Sequence, residues 1–124
     1  MKLYFQGDLC IEPVADAPLS DARSVPAAQD GAIVLAEGEA TGHRHAFYGG
    51  EVALFRDDSL ARDLPPGLYV GHLRVKSDNA ALRHEEHDTI ALPRGLYRVR
   101  RQREFDGDDA LDMRVDMVGR VIAD

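Results

Sequence analysis

The stretch T-I-A-L-P-R-G-L-Y-R-V-R-R-Q-R-E-F, residues 89–105, decides the fold class. Tyr97, Val99, Arg101, Arg103 and Phe105 share one parity, and Arg98, Arg100, Gln102 and Glu104 take the other. Side chains that alternate with period two belong on an extended strand, because successive Cβ atoms point to opposite faces. Pro93 and Gly95 predict a turn that divides the stretch into two strands.

The same reading extends outward. In L-D-M-R-V-D-M-V-G-R-V-I, residues 111–122, Leu111, Met113, Val115 and Met117 alternate with Asp112, Arg114 and Asp116. That pattern predicts a half-buried strand after an acidic hairpin loop, D-G-D-D-A. Further strands are expected at 4–14, interrupted or bulged near Gly7, and at 31–38. Two more flank the Gly49-Gly50 pair, a tight-turn signal because glycine reaches positive φ without cost. Another covers 68–75, and the next begins at 79. Residues 15–30 carry two prolines and read as a surface loop.

No 3.6-residue apolar periodicity is sustained over three turns. Seven to nine short strands between Gly/Pro-rich turns define an all-β protein, a small barrel or β-sandwich, with residues 1–124 as a single compact β domain. A chain of 124 residues with 44% hydrophobic residues can fill one core. The formal net charge of −7 disfavours nonspecific attachment to nucleic acid or anionic lipid. No apolar run approaches the roughly 18 residues of a membrane span, and no signal peptide opens the chain, so a cytoplasmic location is expected. Cys10 is the one cysteine, expected as a buried thiol. Residues 3–7, L-Y-F-Q-G, match the end of a common protease-cleavable tag. The upstream acidic residue is absent and the stretch runs into an apparent strand, which favours native sequence.

Four of the five histidines lie in two short stretches, G-H-R-H at 42–45 and L-R-H-E-E-H-D at 82–88. On a strand His43 and His45 face the same way, close enough for one cation to bridge. His84 and His87 converge only through a bulge, turn or helical twist. A mononuclear site would use His43, His45 and His84, with Glu86 or His87 as fourth donor. This donor set suits a divalent transition metal (Zn, Mn, Fe or Ni). Glu85 would be the base beside a metal-bound water, in hydrolysis or isomerisation. The alternatives are surface or structural histidines, or metal-free acid-base and ligand-binding roles. H-E-E-H is not the zinc-protease signature H-E-x-x-H, whose two histidines are four apart on one helical face. His72 reads as a structural histidine.

Arg98, Arg100, Arg101 and Arg103 read first as members of an internal charge network, given the surplus of acids. The competing role is a protein-binding strand that recognises an acidic segment of a partner, or a second copy of the chain. The mixed faces and negative net charge leave little support for RNA. No phosphate loop or dinucleotide fingerprint is present.

The motifs F-Q-G-D-L (5–9), L-A-E-G-E-A-T-G-H-R-H (35–45) and L-R-H-E-E-H-D-T-I-A-L-P-R-G-L-Y-R-V-R-R-Q-R-E-F (82–105) resemble a small uncharacterised family of bacterial and phage genomes. The resemblance spans nearly the whole chain and implies that His43, His45, His84, Glu85, Glu86 and His87 belong to one recurrent unit, with no reaction attached. H-x-H is also similar to the first motif of cupins, which implies a barrel with a metal inside. Glu51 comes later than the usual cupin acidic ligand, and His84 precedes the Pro93-Gly95 segment where a cupin histidine would follow it.

Overall fold

Eight antiparallel strands account for most of the computed structural model, which describes residues 2–16, 19, 22–37, 43–49 and 51–102. They are β1 (Tyr4–Gln6), β2 (Leu9–Val14), β3 (Arg23–Val25), β4 (Ile33–Glu37), β5 (Arg44–Phe47), β6 (Val52–Arg56), β7 (Tyr69–Leu82) and β8 (Ile90–Arg101). The strand expected at 111–122, the acidic loop before it and Arg103 lie outside the described residues. Six strands form one sheet in the order β1-β2-β8-β7-β6-β3, and β4 pairs with β5 in a second. The all-β expectation holds. The sheets are not closed into a barrel, since β1 and β3 stand at opposite edges of the larger one.

Cross-strand rows separate the two faces of that sheet. Pro13, Tyr97, Leu73 and Leu54 stand opposite one another along one row, and Glu12, Arg98, His72 and Phe55 along the next. Tyr97, Leu73 and Leu54 of the first row belong to the core, together with Leu9, Ile11, Val75 and Val99, and receive Leu35, Ala36 and Phe47 from β4 and β5. Each fully buried side chain of this kind contributes about 1.5–3 kcal/mol of transfer free energy. The second row turns the polar side chains to the opposite face, where Arg98 donates to the Leu60 carbonyl of the 3-10 turn Asp58–Ala61 at 3.3 Å.

Four expectations about individual strands are sharpened or corrected. The strand expected at 4–14, interrupted or bulged near Gly7, is interrupted there and folds into a hairpin, with Gln6 opposite Leu9 and Gly7-Asp8 as its turn. Gly7 takes φ +58, the left-handed region that a two-residue hairpin turn requires. The loop expected at 15–30 contains β3, an edge strand on β6. Beyond Gly49 the chain passes from one sheet to the other, because β5 pairs with β4 while β6 pairs with β3 and β7. Pro93 and Gly95 do not end a strand: β8 runs through them.

The last case has a local cause. Between the pairs Val75–Gly95 and Asn79–Pro93, β7 passes three residues while β8 passes only Arg94. Proline lacks a ladder donor and is tolerated at such a bulge. Arg94 covers the irregularity by donating to the Lys76 carbonyl and, at 2.9 Å, to Asp78 Oδ1.

Candidate functional site: a histidine junction between the sheets

Three segments distant in sequence meet at one end of the molecule: the Gly7-Asp8 turn, the start of β5, and the β7–β8 loop at 83–89. Hydrogen bonds in both directions between Ala46 and Arg83, at 2.9 and 3.0 Å, tie β5 to the end of β7. Glu85 Oε1 accepts from the Arg44 amide at 2.8 Å and folds the loop back on β5. The histidines that alternation alone could not bring together are brought together by this return.

The ring centroids of His45 and His84 are 4.3 Å apart, those of His84 and His87 4.6 Å, and those of His45 and His87 6.1 Å. His43 joins them 5.7 Å from His84, with its Nδ1 3.7 Å from Glu86 Oε2. His43, His45, His84, Glu86 and His87 therefore share one neighbourhood.

His45 is the fixed point, only 3% exposed. The Gln6 amide nitrogen donates to the Leu82 and Asp88 carbonyls, each at 2.9 Å, which leaves Gln6 Oε1 as an acceptor 2.9 Å from His45 Nδ1. The proton of the neutral ring is thus on Nδ1, and Nε2 carries the lone pair. Burial first, and then the neighbouring His84, bring the His45 pKa down to about 4. Asp8 Oδ1 lies 3.9 Å from that bare Nε2, while Asp8 Oδ2 accepts from Arg101 Nη1 at 2.8 Å. A lone pair and a carboxylate oxygen face each other with no proton between them.

His84 is held differently. Its Nδ1 accepts from the Glu86 amide at 3.0 Å, so its ring proton sits on Nε2 and the ring must surrender that bond to act as a donor atom. Its pKa is lowered by burial and then by His87. Among the described residues no group of three or more His, Cys, Asp or Glu side chains is arranged to hold a metal ion.

Glu85 is exposed, and its bond from the Arg44 amide is the first cause of a lowered carboxyl pKa. This geometry makes it an anchor of the loop and weakens it as a proton acceptor. The arginines of β8 are occupied within the molecule. Arg98 donates to Glu12 at 2.6 Å and grips both oxygens of Asp63 at 2.8 and 3.1 Å. Arg100 lies 3.5 Å from Glu12, and Arg101 holds Asp8. Over residues 96–101, the span that carries these arginines, β8 lies between β2 and β7 and offers no free edge there.

Gln6, Gly7 and Asp8 escaped the sequence reading. A signal exists in the sequence: Gly-Asp between two apolar-rich runs fits a hairpin turn as well as the interruption or bulge expected near Gly7. Gln6 also bears on the tag question, because a buried side chain with three hydrogen bonds is an integral part of the fold.

Fold and site together define an all-β protein of two antiparallel sheets joined at a histidine-rich corner. The chain belongs to the family described as Domain of unknown function (DUF8820), which matches residues 5–102 and so encloses the whole corner. No curated protein and no solved structure matches the chain. No helix among the described residues is long and apolar enough to cross a membrane.

Proposed function

We propose that this is a small metal-binding β protein whose histidine corner takes one divalent transition-metal ion. The observation that carries the proposal is the bare Nε2 of buried His45, fixed by Gln6 and facing the Asp8 carboxylate at 3.9 Å. A histidine whose other nitrogen is held by a hydrogen bond, beside a carboxylate itself held by an arginine, has the support expected around a metal ligand. Nitrogen and oxygen donors on a tetrahedral ion stand about 3.4 Å apart, so the pair need close only slightly.

The ring spacing of the histidines supports the same reading. Imidazoles bound to one tetrahedral ion have ring centres about 5 Å apart, given metal–nitrogen bonds of about 2.0–2.1 Å. The observed separations of 4.3 to 6.1 Å bracket that value. Ring rotation at His87, His43 and His84 would aim their nitrogens inward, with His84 giving up its bond from Glu86. Asp8 joins His43, His45, His84, Glu86 and His87 as a candidate donor, and four of the six would complete a tetrahedral shell. An ion there would clamp the Gly7-Asp8 turn, β5 and the 83–89 loop to one another. Zn, Mn, Fe and Ni all suit imidazole and carboxylate donors.

The test uses the full chain freed of metal by a chelator and titrated with Co(II) and Zn(II) by calorimetry and visible absorption. One equivalent should bind, with the Co(II) absorption of a nitrogen-and-oxygen site. The His43→Ala/His45→Ala variant should lose it, and Asp8→Asn should weaken it at least tenfold. Absence of saturable binding to the folded wild-type chain would refute the proposal.

A second reading, a protein-binding module, rests on a different observation. β1 is an edge strand, and Phe5 on it and Leu3 just before it are 47% and 43% exposed. An acidic segment of a partner or a second copy of the chain could extend the sheet there.

A further inference from the structure

The polar face of the large sheet carries a cleft of about 400 Å³, with Pro13, Val14, Leu60 and Leu96 among its walls and His72 in its lining. That volume falls in the range of small-molecule sites, roughly 300–1,000 Å³. It belongs to the row Glu12–Arg98–His72, away from the histidine corner.

His72 is 4% exposed, and its hydrogen bonding is half complete. The Asp57 amide donates to the Tyr69 hydroxyl oxygen at 3.1 Å, which leaves the Tyr69 proton free to go to His72 Nδ1 at 2.6 Å. The ring proton is then on Nε2, and no residue among those described accepts it. A buried N–H without an acceptor is costly, and native structures normally supply one.

The charges beside His72 indicate which acceptor fits. Arg98 is saturated by Glu12 and Asp63, so its charge asks for no anion from outside. Glu12 itself lines the cleft and would repel a carboxylate. The remaining wall is mostly aliphatic.

We propose that this cleft binds a small, uncharged, largely apolar molecule through one carbonyl oxygen, which accepts the His72 Nε2 proton while the apolar body lies against Val14, Leu60 and Leu96. Nothing in this requires an ion at the histidine corner.

Acetophenone is the probe, with ethylbenzene, which lacks the oxygen, and benzoate, which adds a charge, as its controls. Each is titrated into the isotopically labelled full chain and followed by amide and imidazole resonances. Acetophenone should shift the His72 ring and the Leu60 and Leu96 amides saturably, and bind at least fivefold more tightly than either control. The Leu60→Trp variant, which changes an exposed residue at the cleft wall, should fold normally and lose the response. Ethylbenzene binding as well as acetophenone, benzoate binding better, a response without saturation, or an unchanged response in Leu60→Trp would each overturn the proposal.

Discussion

Asp8 and His45 stand 3.9 Å apart, each held from behind, the carboxylate by Arg101 and the imidazole by Gln6. The four residues come from the β1–β2 turn, β8, β5 and β1, so the contact exists only in the finished fold. Its geometry restricts both groups. Asp8 cannot swing away without leaving Arg101, and His45 cannot turn its bare nitrogen elsewhere without leaving Gln6.

Gly7 should be the least replaceable residue of the turn. A Cβ there would lie 2.9 Å from His87 Nε2 and 3.1 Å from His45 Cε1, on a backbone with φ +58. Gly31, at φ +88, has open space around the same position. Both Gly→Ala changes incur the left-handed cost of about 1–2 kcal/mol. Gly7→Ala should lose more than Gly31→Ala in urea unfolding, because only it pushes against the histidines. Equal losses would show that the corner yields without cost.

Gln6→Leu tests the tautomer argument. The change leaves the Leu82 carbonyl and His45 Nδ1 without their partner, along with the Asp88 carbonyl. The Leu82 carbonyl and His45 Nδ1 are the two buried groups, and each costs about 1–3 kcal/mol when stranded, so a total of about 2–6 kcal/mol is expected. Nitrogen chemical shifts of the His45 ring should place the proton on Nδ1 in the wild type. A proton on Nε2 would reverse the assignment and weaken the case for a metal ligand.

How far the sequence could be read depended on whether the governing interaction was local. Period two exposed β8, because alternation is set by the strand itself, and the Val99 and Arg98 faces fall as expected. Pro93-Arg94-Gly95 misled, since what keeps β8 continuous there is a bulge on a different strand, visible only once β7 is alongside. The two histidine stretches meet in the structure, although His84 and His87 have opposite strand parity. The loop at 83–89 abandons strand geometry, and its fold-back depends on Glu85 reaching the Arg44 amide across 41 positions of sequence. Asp8 could not have been chosen in advance, because its role follows from pairing with Arg101.

Acid should destabilise the metal-free protein in a defined window. His45 has a folded pKa of about 4 against an ordinary 6.5, chiefly because burial disfavours the charged ring. Its contribution is fully present above about pH 6.5, where both folded and unfolded rings are neutral. As the pH falls from 6.5 towards 4 the unfolded chain takes up a proton that the folded chain refuses, and stability is lost. A shift of this size corresponds to about 3 kcal/mol. His72 and His84 have pKa values lowered in the same direction and add to the loss. Urea unfolding in the presence of chelator at pH 7.5, 6 and 4.5 reads the slope directly, and His45→Gln should flatten it. A flat profile in the wild type would mean that the ring is protonated or solvated in the fold.

Arg98 separates an internal charge network from a binding strand. Its side chain is 15% exposed and that of Glu12 is 19%, so water can compensate little when the pair is broken. Arg98→Met leaves Glu12 with only the longer contact from Arg100 at 3.5 Å. Removing one partner of a buried pair costs about 3–5 kcal/mol, and at this partial exposure about 2 kcal/mol is expected. The Asp63 carboxylate is mostly exposed, and Asp63→Asn should cost distinctly less. The double variant Arg98→Met/Glu12→Leu should recover part of the loss, because it removes the stranded carboxylate. Thermal and urea unfolding of the wild type, Arg98→Met, Glu12→Leu and the double variant closes the cycle. If Arg98→Met leaves stability unchanged, the arginine is not holding the sheet together, and a role toward an acidic partner regains its force.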